Sequence, residues 1–340
     1  MNSSSAPSPA KSAPGRAFIV FSVALIVAIW AVNFIAAKIG LRHLSPLTMG
    51  SFRVVFAGLA MLPTYLFCLR LPAFAEAAAA RRRRFSLRDY ATFAYLGFFG
   101  VVVNQICFTA GLHYTSVTHA SVIVGMGPIY ILVLAVLLRL ERWTWRKAGG
   151  MAIALAGVTL MAGKSGISTH SPTLHGDFIT LCGSVGFSIY AVLGKRVAGR
   201  YDALTMTAYN HFAGALFVLP LALFEARRLG FAPDSSRGPA AAWRAIPWQT
   251  WAATAYMAVF GSVIAYLFYY WLLRFMPASQ VSAFTYLLPV SATILGILWL
   301  GEQATRGEFL GAAVVLLGVY TVESARAPAS SSDRSAAPAE

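Results

Sequence analysis

The stretch VTHASVIVGMGPIYILVLAVLLRLERWTWRKAGGMAIALAGVTL, residues 117–160, decides the fold because the chain repeats it. Two apolar segments flank a short charged turn, and the counterpart of the whole stretch occupies residues 278–321. Five unlike residues recur at one offset of 161 positions: Pro128 with Pro289, Glu141 with Glu302, Thr144 with Thr305, Gly150 with Gly311, and Gly157 with Gly318. One offset shared by a Pro, a Glu, a Thr and two Gly predicts an internal duplication.

The duplication continues towards the N-terminus. Gly100 matches Gly261 at the same offset. Further back the offset is 157, which pairs Trp30 with Phe187, Asn33 with Tyr190, Lys38 with Lys195, Thr48 with Thr205, and Pro63 with Pro220. The change falls in a loop, where a four-residue insertion costs little free energy. We therefore predict disordered Ser/Ala/Pro-rich tails at 1–17 and 323–340, which enclose one copy at 18–163 and another at 176–322.

The composition indicates a membrane protein, because 58% of the residues are hydrophobic, only 11% are charged, and the charges lie between long apolar runs. Apolar runs of about 18 residues or more are typical of membrane-spanning helices. Ten such spans are predicted, at about 18–40, 47–69, 89–111, 117–138, 146–163, 176–196, 204–224, 248–272, 279–300 and 306–322.

The net charge of +15 does not indicate nucleic acid here, because Arg and Lys collect in the loops beside the helices. Placing both termini in the cytoplasm puts the arginines at 81–84 and the cluster at 139–147 on the cytoplasmic side. The excess of Arg and Lys on the cytoplasmic side fails only at the long loop that carries Arg227, Arg228, Arg237 and Arg244, which would lie outside. We expect no nucleic-acid partner and a lipid bilayer around the chain.

Each predicted copy has five helices, and an odd number forces the second copy to enter the membrane the opposite way round. The predicted fold is therefore an all-α membrane protein with ten transmembrane helices arranged as two inverted five-helix repeats. Such a pair has a two-fold axis in the membrane plane and a cavity near the midplane. That arrangement predicts transport by alternating access.

Two motifs resemble a known family. The run AIWAVNFIAAKIGLRHLSPLTMGSFRVVFAG at 28–58 resembles the start of EamA-type transporters of the drug/metabolite transporter superfamily. The run LLPVSATILGILWLGEQATRGEFLGAAVVLLGVY at 287–320 resembles the end of the second EamA repeat, although Leu140 replaces the matching Gly301 in the first copy. The resemblance implies a ten-helix carrier of the bacterial inner membrane that exports amino acids or related metabolites, often by proton exchange.

Polar side chains inside a span are costly and need a reason. The residues that we predict to contact a substrate are two cations, three amides and three aromatic residues: Lys38, Arg53, Asn33, Asn104, Gln105, Trp30, Tyr266 and Tyr286. The alternatives for them are snorkelling cations, amides that join helices, and aromatic side chains that pack in the core or at the interface. Mid-span Tyr266 and Tyr286 would suit an amphipathic amino acid or an aromatic compound.

His119 and His211 are the candidates for proton coupling, because the predicted spans hold no deep Asp or Glu. The alternative is that both histidines are hydrogen-bonded structural residues. Pro128 and Pro289 would bend their helices, since proline leaves a carbonyl without a donor. Glu141 and Glu302 are predicted to be structural residues of their turns, oriented there or paired with Arg142 or Arg306, and Thr144 and Thr305 to cap the next helices.

We expect a secondary transporter that exports small metabolites, acts as a monomer and uses a proton as a candidate coupling ion. The chain shows no phosphate-binding loop, no metal-ligand spacing and no catalytic triad, so we expect no enzyme activity, cofactor or metal. One alternative is a passive facilitator or channel, because no carboxylate lies deep in a span. Another is a membrane-embedded regulator that binds a partner through residues 73–88.

Overall fold

The computed structural model describes residues 15–81, 85–115, 120, 123–162, 171–230, 243–288, 290–291, 294 and 306–325. Every regular element within these ranges is helical. The principal helices are α1 (Arg16–Gly40), α2 (Pro46–Cys68), α3 (Ala75–Arg81), α4 (Leu87–Tyr114), α5 (Gly127–Leu137), α6 (Trp145–Ala162), α7 (Ser171–Val197), α8 (Ala203–Gly230), α9 (Trp248–Phe275), α10 (Ala278–Ala283) and α11 (Arg306–Glu323). The predicted tails fall almost wholly outside the described ranges.

Six of these helices, α1, α2, α4, α7, α8 and α9, are long and apolar enough to cross a membrane. They coincide with the first, second, third, sixth, seventh and eighth predicted spans. In the fourth and tenth predicted spans the apolar helical stretches are shorter, at Ile123–Leu137 and Phe309–Glu323. The full count of ten spans therefore stays a prediction.

Polar residues at the helix starts fix where several helices begin. The Ser45 hydroxyl accepts the Thr48 amide at 3.1 Å and caps α2. Ser86 and Asp89 form a reciprocal capping box at the start of α4. Thr144 Oγ1 accepts the Lys147 amide at 3.3 Å, which confirms the predicted cap of α6.

Helices that match one another in sequence pack in antiparallel pairs. In α6 and α11, Gly150 faces Val322 whereas Gly157 faces Val315, so the two helices run in opposite directions. A Cβ at Gly157 would lie 2.5 Å from the Val315 nitrogen, and therefore the predicted close helix contact at these glycines is confirmed. The pair α2 and α8 is likewise antiparallel, because Thr48 bonds Glu225 and Gly58 meets Ala215.

The remaining long helices pair across the copies in a matching way. In the first pair, α1 of the first copy packs on α9, the third long helix of the second copy. In the second pair, α7 of the second copy packs on α4, which matches α9 in the first copy. Trp30 meets Gly261 in the first pair and Tyr190 meets Gly100 in the second. The neighbouring helix thus packs against an equivalent glycine in both pairs, Gly261 in the first and Gly100 in the second.

Both of these glycines lie in short π-helical turns, at Phe98–Val103 within α4 and at Met257–Ile264 within α9. A π-helical turn widens the helix and frees carbonyl groups for other donors, and such turns are common at functional sites. Here the Gly100 carbonyl accepts the Tyr266 hydroxyl at 2.7 Å, and the Gly261 carbonyl accepts the Trp30 indole at 3.1 Å. The turns place two backbone acceptors deep within the bundle.

The helical hydrogen-bonding pattern is interrupted just before Pro128, and the predicted bend there stays a prediction. Met126 is a turn residue with α-helical backbone angles, and α5 begins at Gly127 with Pro128 in its first turn. Proline is tolerated there because the first helical amides have no acceptor within the helix. Pro289, its predicted counterpart, lies outside the described residues.

Candidate binding cavity

A cavity lies between α1, α2, α4, α5, α7, α9 and the segment that follows α10. The space open to the centres of water-sized spheres is about 90 Å³. One water needs about 10–15 Å³ on this measure, so the cavity holds several waters or a small solute. Its aromatic walls are Trp30, Phe34, Phe108, Phe187 and Tyr266, and its polar lining is Asn33, Arg53, Asn104, Thr180, Ser184, Ser282 and Thr285.

Both copies contribute to this lining at matching positions. Val124 and Gly127, on either side of the turn residue Met126, line the cavity together with their counterparts Thr285 and Leu288 in the second copy. The cavity is therefore built from sequence-related positions of both copies, as in carriers made of repeats.

Two aromatic side chains are held in place by backbone carbonyls. Trp30 donates to Gly261, and Tyr266 lies within hydrogen-bond distance of both the Gly100 carbonyl and Asn104 Oδ1, at 2.7 and 2.9 Å. The rings of Trp30 and Tyr266 meet edge to face, with centroids 6.3 Å apart. They form a rigid apolar wall whose polar atoms are already bonded.

Arg53 supplies the positive charge of the cavity. Its side chain on α2 is only 4% exposed, yet it reaches the lining. Nε donates to the Ser262 hydroxyl at 3.2 Å, and that hydroxyl lies within donating distance of both Gln105 Oε1 and the Met257 carbonyl, each at 3.0 Å. The Nη1 atom has no hydrogen-bond partner among the described residues.

The described lining residues include no carboxylate, and the described ion pairs do not involve Arg53. Leaving a buried guanidinium without an opposite charge is costly, so the site favours an anionic group near Arg53. A carboxylate fits the planar fork of donors on arginine well.

Two asparagines provide polar contacts near the cation. Asn104 donates its amide to the Gly183 carbonyl at 3.1 Å, which joins α4 to α7. Asn33 is 5% exposed, and its Oδ1 has no partner among the described residues. This acceptor lies at the Gly261 turn, where an added Cβ would approach it to 2.5 Å. Asn33 therefore holds a buried acceptor without a described partner beside the cavity.

Five of the eight predicted contact residues line one cavity: Trp30, Asn33, Arg53, Asn104 and Tyr266. The other three do not. Lys38 is exposed near the end of α1, Gln105 stands behind Ser262, and Tyr286 packs in a separate cluster between α6 and α11. The geometry brings the five together, and their contact with a substrate stays a prediction.

His211 lies behind the cavity wall. Its ring meets Tyr266 edge to face at 5.4 Å, and Nδ1 bonds the Thr207 carbonyl at 2.8 Å. Nε2 has no partner among the described residues, and no part of the side chain lines the cavity. His119, the other candidate for proton coupling, lies outside the described residues.

Glu141 joins the two copies at one end of the bundle. Its carboxylate accepts Lys147 Nζ at 2.7 Å, the Ser279 amide at 3.0 Å and the Ser279 hydroxyl. Lys147, and not the alternative Arg142, is the described ion-pair partner of Glu141, because its amine in the first turn of α6 reaches back to the carboxylate. Glu302 lies outside the described residues.

Sequence reasoning did not select Ser262, Ser184, Thr180 or Ser282, which are common residues in membrane helices and give no distinctive signal. The position of Ser262 next to Gly261 was the available clue, because the paired glycines mark where the π-helical turns expose backbone.

The family model described as the EamA-like transporter family matches residues 17–163 and again residues 174–323. An uncharacterized transporter of Archaeoglobus fulgidus is 28% identical over 300 residues, which are 88% of this chain and 96% of the relative. A probable terminal-alkyne amino-acid exporter of Streptantibioticus cattleyicolor is 26% identical over 303 residues, 89% of this chain and 92% of the relative. One crystal structure shares the fold at a TM-score of 0.68 and 15% identity, covering 90% of this chain and 96% of that one. With its six long apolar helices, the chain is a multi-pass membrane protein.

Proposed function

Because the chain belongs to the EamA-like transporter family, we propose that it is a secondary transporter, not an enzyme, which exports a small carboxylate-bearing metabolite such as an amino acid or derivative. The single observation that carries the substrate class is Arg53, a buried guanidinium that reaches the cavity without a described carboxylate beside it. The carboxylate of the substrate supplies the missing charge.

The cavity walls suit the rest of such a molecule. Trp30, Tyr266 and Phe187 offer apolar faces to a side chain, and Asn33 Oδ1 offers an acceptor to an ammonium group. The relative from Streptantibioticus cattleyicolor, named as a probable amino-acid exporter, adds support at 26% identity.

The proposed mechanism is alternating access by ten spans in two inverted five-helix repeats. Its support is that equivalent helices pack antiparallel, α2 on α8 and α6 on α11, as inverted copies would. Either copy then closes one side of a shared site. In this proposal the transporter lies in the bacterial inner membrane with both termini in the cytoplasm. One chain contains both halves of the cavity, so a monomer suffices.

Proton coupling is part of the proposal, and His211 is its candidate within the described residues. The measurement is substrate accumulation in proteoliposomes under a proton gradient. The His211→Asn variant keeps an amide donor for the Thr207 carbonyl, so it preserves the local bond that His211 makes. We expect it to lose gradient-driven accumulation while exchange of substrate remains.

The test of the function is counterflow in proteoliposomes with a panel of apolar and aromatic amino acids. Each amino acid is compared with its decarboxylated amine and with its carboxamide. We expect internal substrate to accelerate uptake of the free acids and to leave both derivatives excluded. Equal transport of acid and amine would refute the carboxylate assignment. Uptake that internal substrate does not accelerate would favour the rival reading, a passive facilitator.

A further inference from the structure

A second cavity lies at one end of the bundle, apart from the central one. It is formed by the start of α1, by α3, by the start of α8 and by the end of α9. The space open to the centres of water-sized spheres is about 360 Å³, larger than that of the central cavity. It lies where the ends of four helices meet, which is the level of the lipid head groups for membrane-spanning helices.

The wall of this cavity is aromatic and continuous with the lipid-facing surface. Phe18 meets Trp271 edge to face at 5.0 Å, and Trp271 meets Phe275 at 4.9 Å. Phe18 is 47% exposed and Phe275 is 37% exposed. Amphipathic aromatic side chains at this level are typical contacts for lipid at the interface.

Three charged residues lie inside the same cavity: Glu76, Asp202 and Arg274. Arg274 donates to Glu76 at 3.2 Å, which is the only hydrogen bond of its guanidinium described, so most of its five donors remain available. Asp202 uses Oδ1 to accept the Thr205 amide at 2.8 Å, while its Oδ2 has no partner among the described residues. The described charges sum to a single negative charge.

We propose that this cavity binds an aminophospholipid of the surrounding bilayer, of the phosphatidylethanolamine type. The free oxygen of Asp202 accepts the lipid ammonium, the open donors of Arg274 hold the phosphate, and the acyl chains lie against Phe18 and Trp271. The lining thus offers one carboxylate oxygen without a described partner and one cation with open donors, which are the two groups that a zwitterionic head group needs.

The charges also discriminate between lipids. A phosphatidylglycerol head group has no cation for Asp202 and adds a negative charge to a site that is already negative. A phosphatidylcholine head group is also zwitterionic, but its quaternary ammonium lacks N–H donors, so it makes no hydrogen bond to Oδ2. The arginines at sequence positions 81–84 would draw anionic lipid instead, so phosphatidylglycerol is the rival occupant to test.

The site spans both copies, because Phe18 and Glu76 belong to the first and Asp202 and Arg274 to the second. A lipid held there stabilises the arrangement of the two copies at this end of the bundle. Lipid composition would thus set how readily the copies move relative to one another.

The experiment is native mass spectrometry of the full chain in detergent, titrated with phosphatidylethanolamine, phosphatidylglycerol or phosphatidylcholine of identical acyl chains. The test variant is Asp202→Asn, which removes the charge but keeps a good helix cap, because asparagine caps helices as well as aspartate. Glu323→Gln is the matched control, since it removes a carboxylate outside the cavity.

We expect phosphatidylethanolamine to bind the wild-type chain about tenfold more tightly than either other lipid, equivalent to about 1.4 kcal/mol. Asp202→Asn should abolish this preference and Glu323→Gln should preserve it. A wild-type preference for phosphatidylglycerol, or a preference for phosphatidylethanolamine that survives in Asp202→Asn, would overturn the assignment. The readout does not depend on which solute the protein transports.

Discussion

The two copies use the same backbone arrangement around their paired glycines, but only one of them faces the cavity. Asn33 and Arg53 lie at the Gly261 turn and reach the cavity lining. Their counterparts at an offset of 157 are Tyr190 and Asn210, which are 0% and 1% exposed and take no part in the lining. Tyr190 presses on the Gly100 turn instead.

The two clusters differ in charge, although both hold buried polar atoms without a hydrogen-bond partner among the described residues. The open cluster holds a cation, whereas its closed counterpart holds a neutral amide. Neither polar atom of the Asn210 side chain nor the Tyr190 hydroxyl makes a hydrogen bond of good geometry among the described residues, although the two side chains approach each other. A buried polar group without a partner costs about 1–3 kcal/mol. We expect these atoms to gain partners when the closed cluster opens, which makes the present arrangement one of two.

The largest effect is expected at the cation that distinguishes the clusters. Arg53→Gln removes the charge that meets the substrate carboxylate, so transport efficiency should fall about a hundredfold, since losing one member of a buried charge pair costs about 2–5 kcal/mol. The measurement is the concentration dependence of uptake into proteoliposomes. Lys38→Gln is the matched control because this exposed lysine on α1 is not part of the lining. Equal losses in both variants would assign the effect to overall charge.

The next effect concerns the two glycines. A Cβ at Gly100 would lie 2.4 Å from the Tyr190 ring and 2.9 Å from its Cβ, so the ring cannot swing clear. A Cβ at Gly261 would meet mainly Asn33 Oδ1, the far end of a side chain that can rotate. Overpacking lowers the unfolding free energy by about 1–3 kcal/mol. We expect this loss to be larger in Gly100→Ala than in Gly261→Ala.

The measurement for this pair is thermal unfolding of the two purified variants in one detergent. Gly100→Ala should melt several degrees below Gly261→Ala. A lower melting temperature for Gly261→Ala would mean that the open cluster, not the closed one, is the more rigid.

Much of this comparison between the two clusters could be predicted from the sequence alone. The offsets of 161 and 157 named the residues that meet the two turns, and mid-span polarity selected five residues that line the cavity. It did not separate Arg53 from Lys38. Lys38 follows Asn33 by five residues, a rotation of about 140° at 3.6 residues per turn, so it leaves the face that Asn33 shares with the cavity.

The predictions for Gln105 and Tyr286 failed for another reason. Both residues lie beside irregular helical turns, which the hydrophobic periodicity of a sequence does not reveal. Asn104 faces the cavity and Gln105 does not, and adjacent residues on a helix differ by about 100°, so knowing that both are polar could not choose between them. The π-helical turn ends at Val103 and sets that choice. Tyr286 ends a 3₁₀ turn at Phe284–Tyr286, which aims it towards α6 and α11.

A smaller effect tests the unsatisfied amide of the closed cluster. Asn210→Leu replaces a polar group that makes no hydrogen bond of good geometry among the described residues with an apolar one of similar size, and should raise the unfolding free energy by about 1 kcal/mol. Asn104→Leu is the comparison, because it breaks the bond to Gly183 and should lower it. Thermal unfolding of both variants measures the difference. A loss of stability in Asn210→Leu would mean that the amide is bonded, against the comparison drawn between the clusters.

The smallest effect separates two tyrosines that stand one helical turn apart on α9. Tyr266→Phe removes a hydroxyl that bonds the Gly100 carbonyl, so the wall of the cavity loosens, with a cost of about 0.5–1.5 kcal/mol or roughly two- to tenfold in transport efficiency. Tyr269→Phe removes a hydroxyl with no partner among the described residues and should change uptake less than Tyr266→Phe does. Both rings are buried and both contact Trp30, so the pair isolates the hydrogen bond from the packing. Equal uptake by the two variants would show that the backbone acceptor at Gly100 is not what positions the wall.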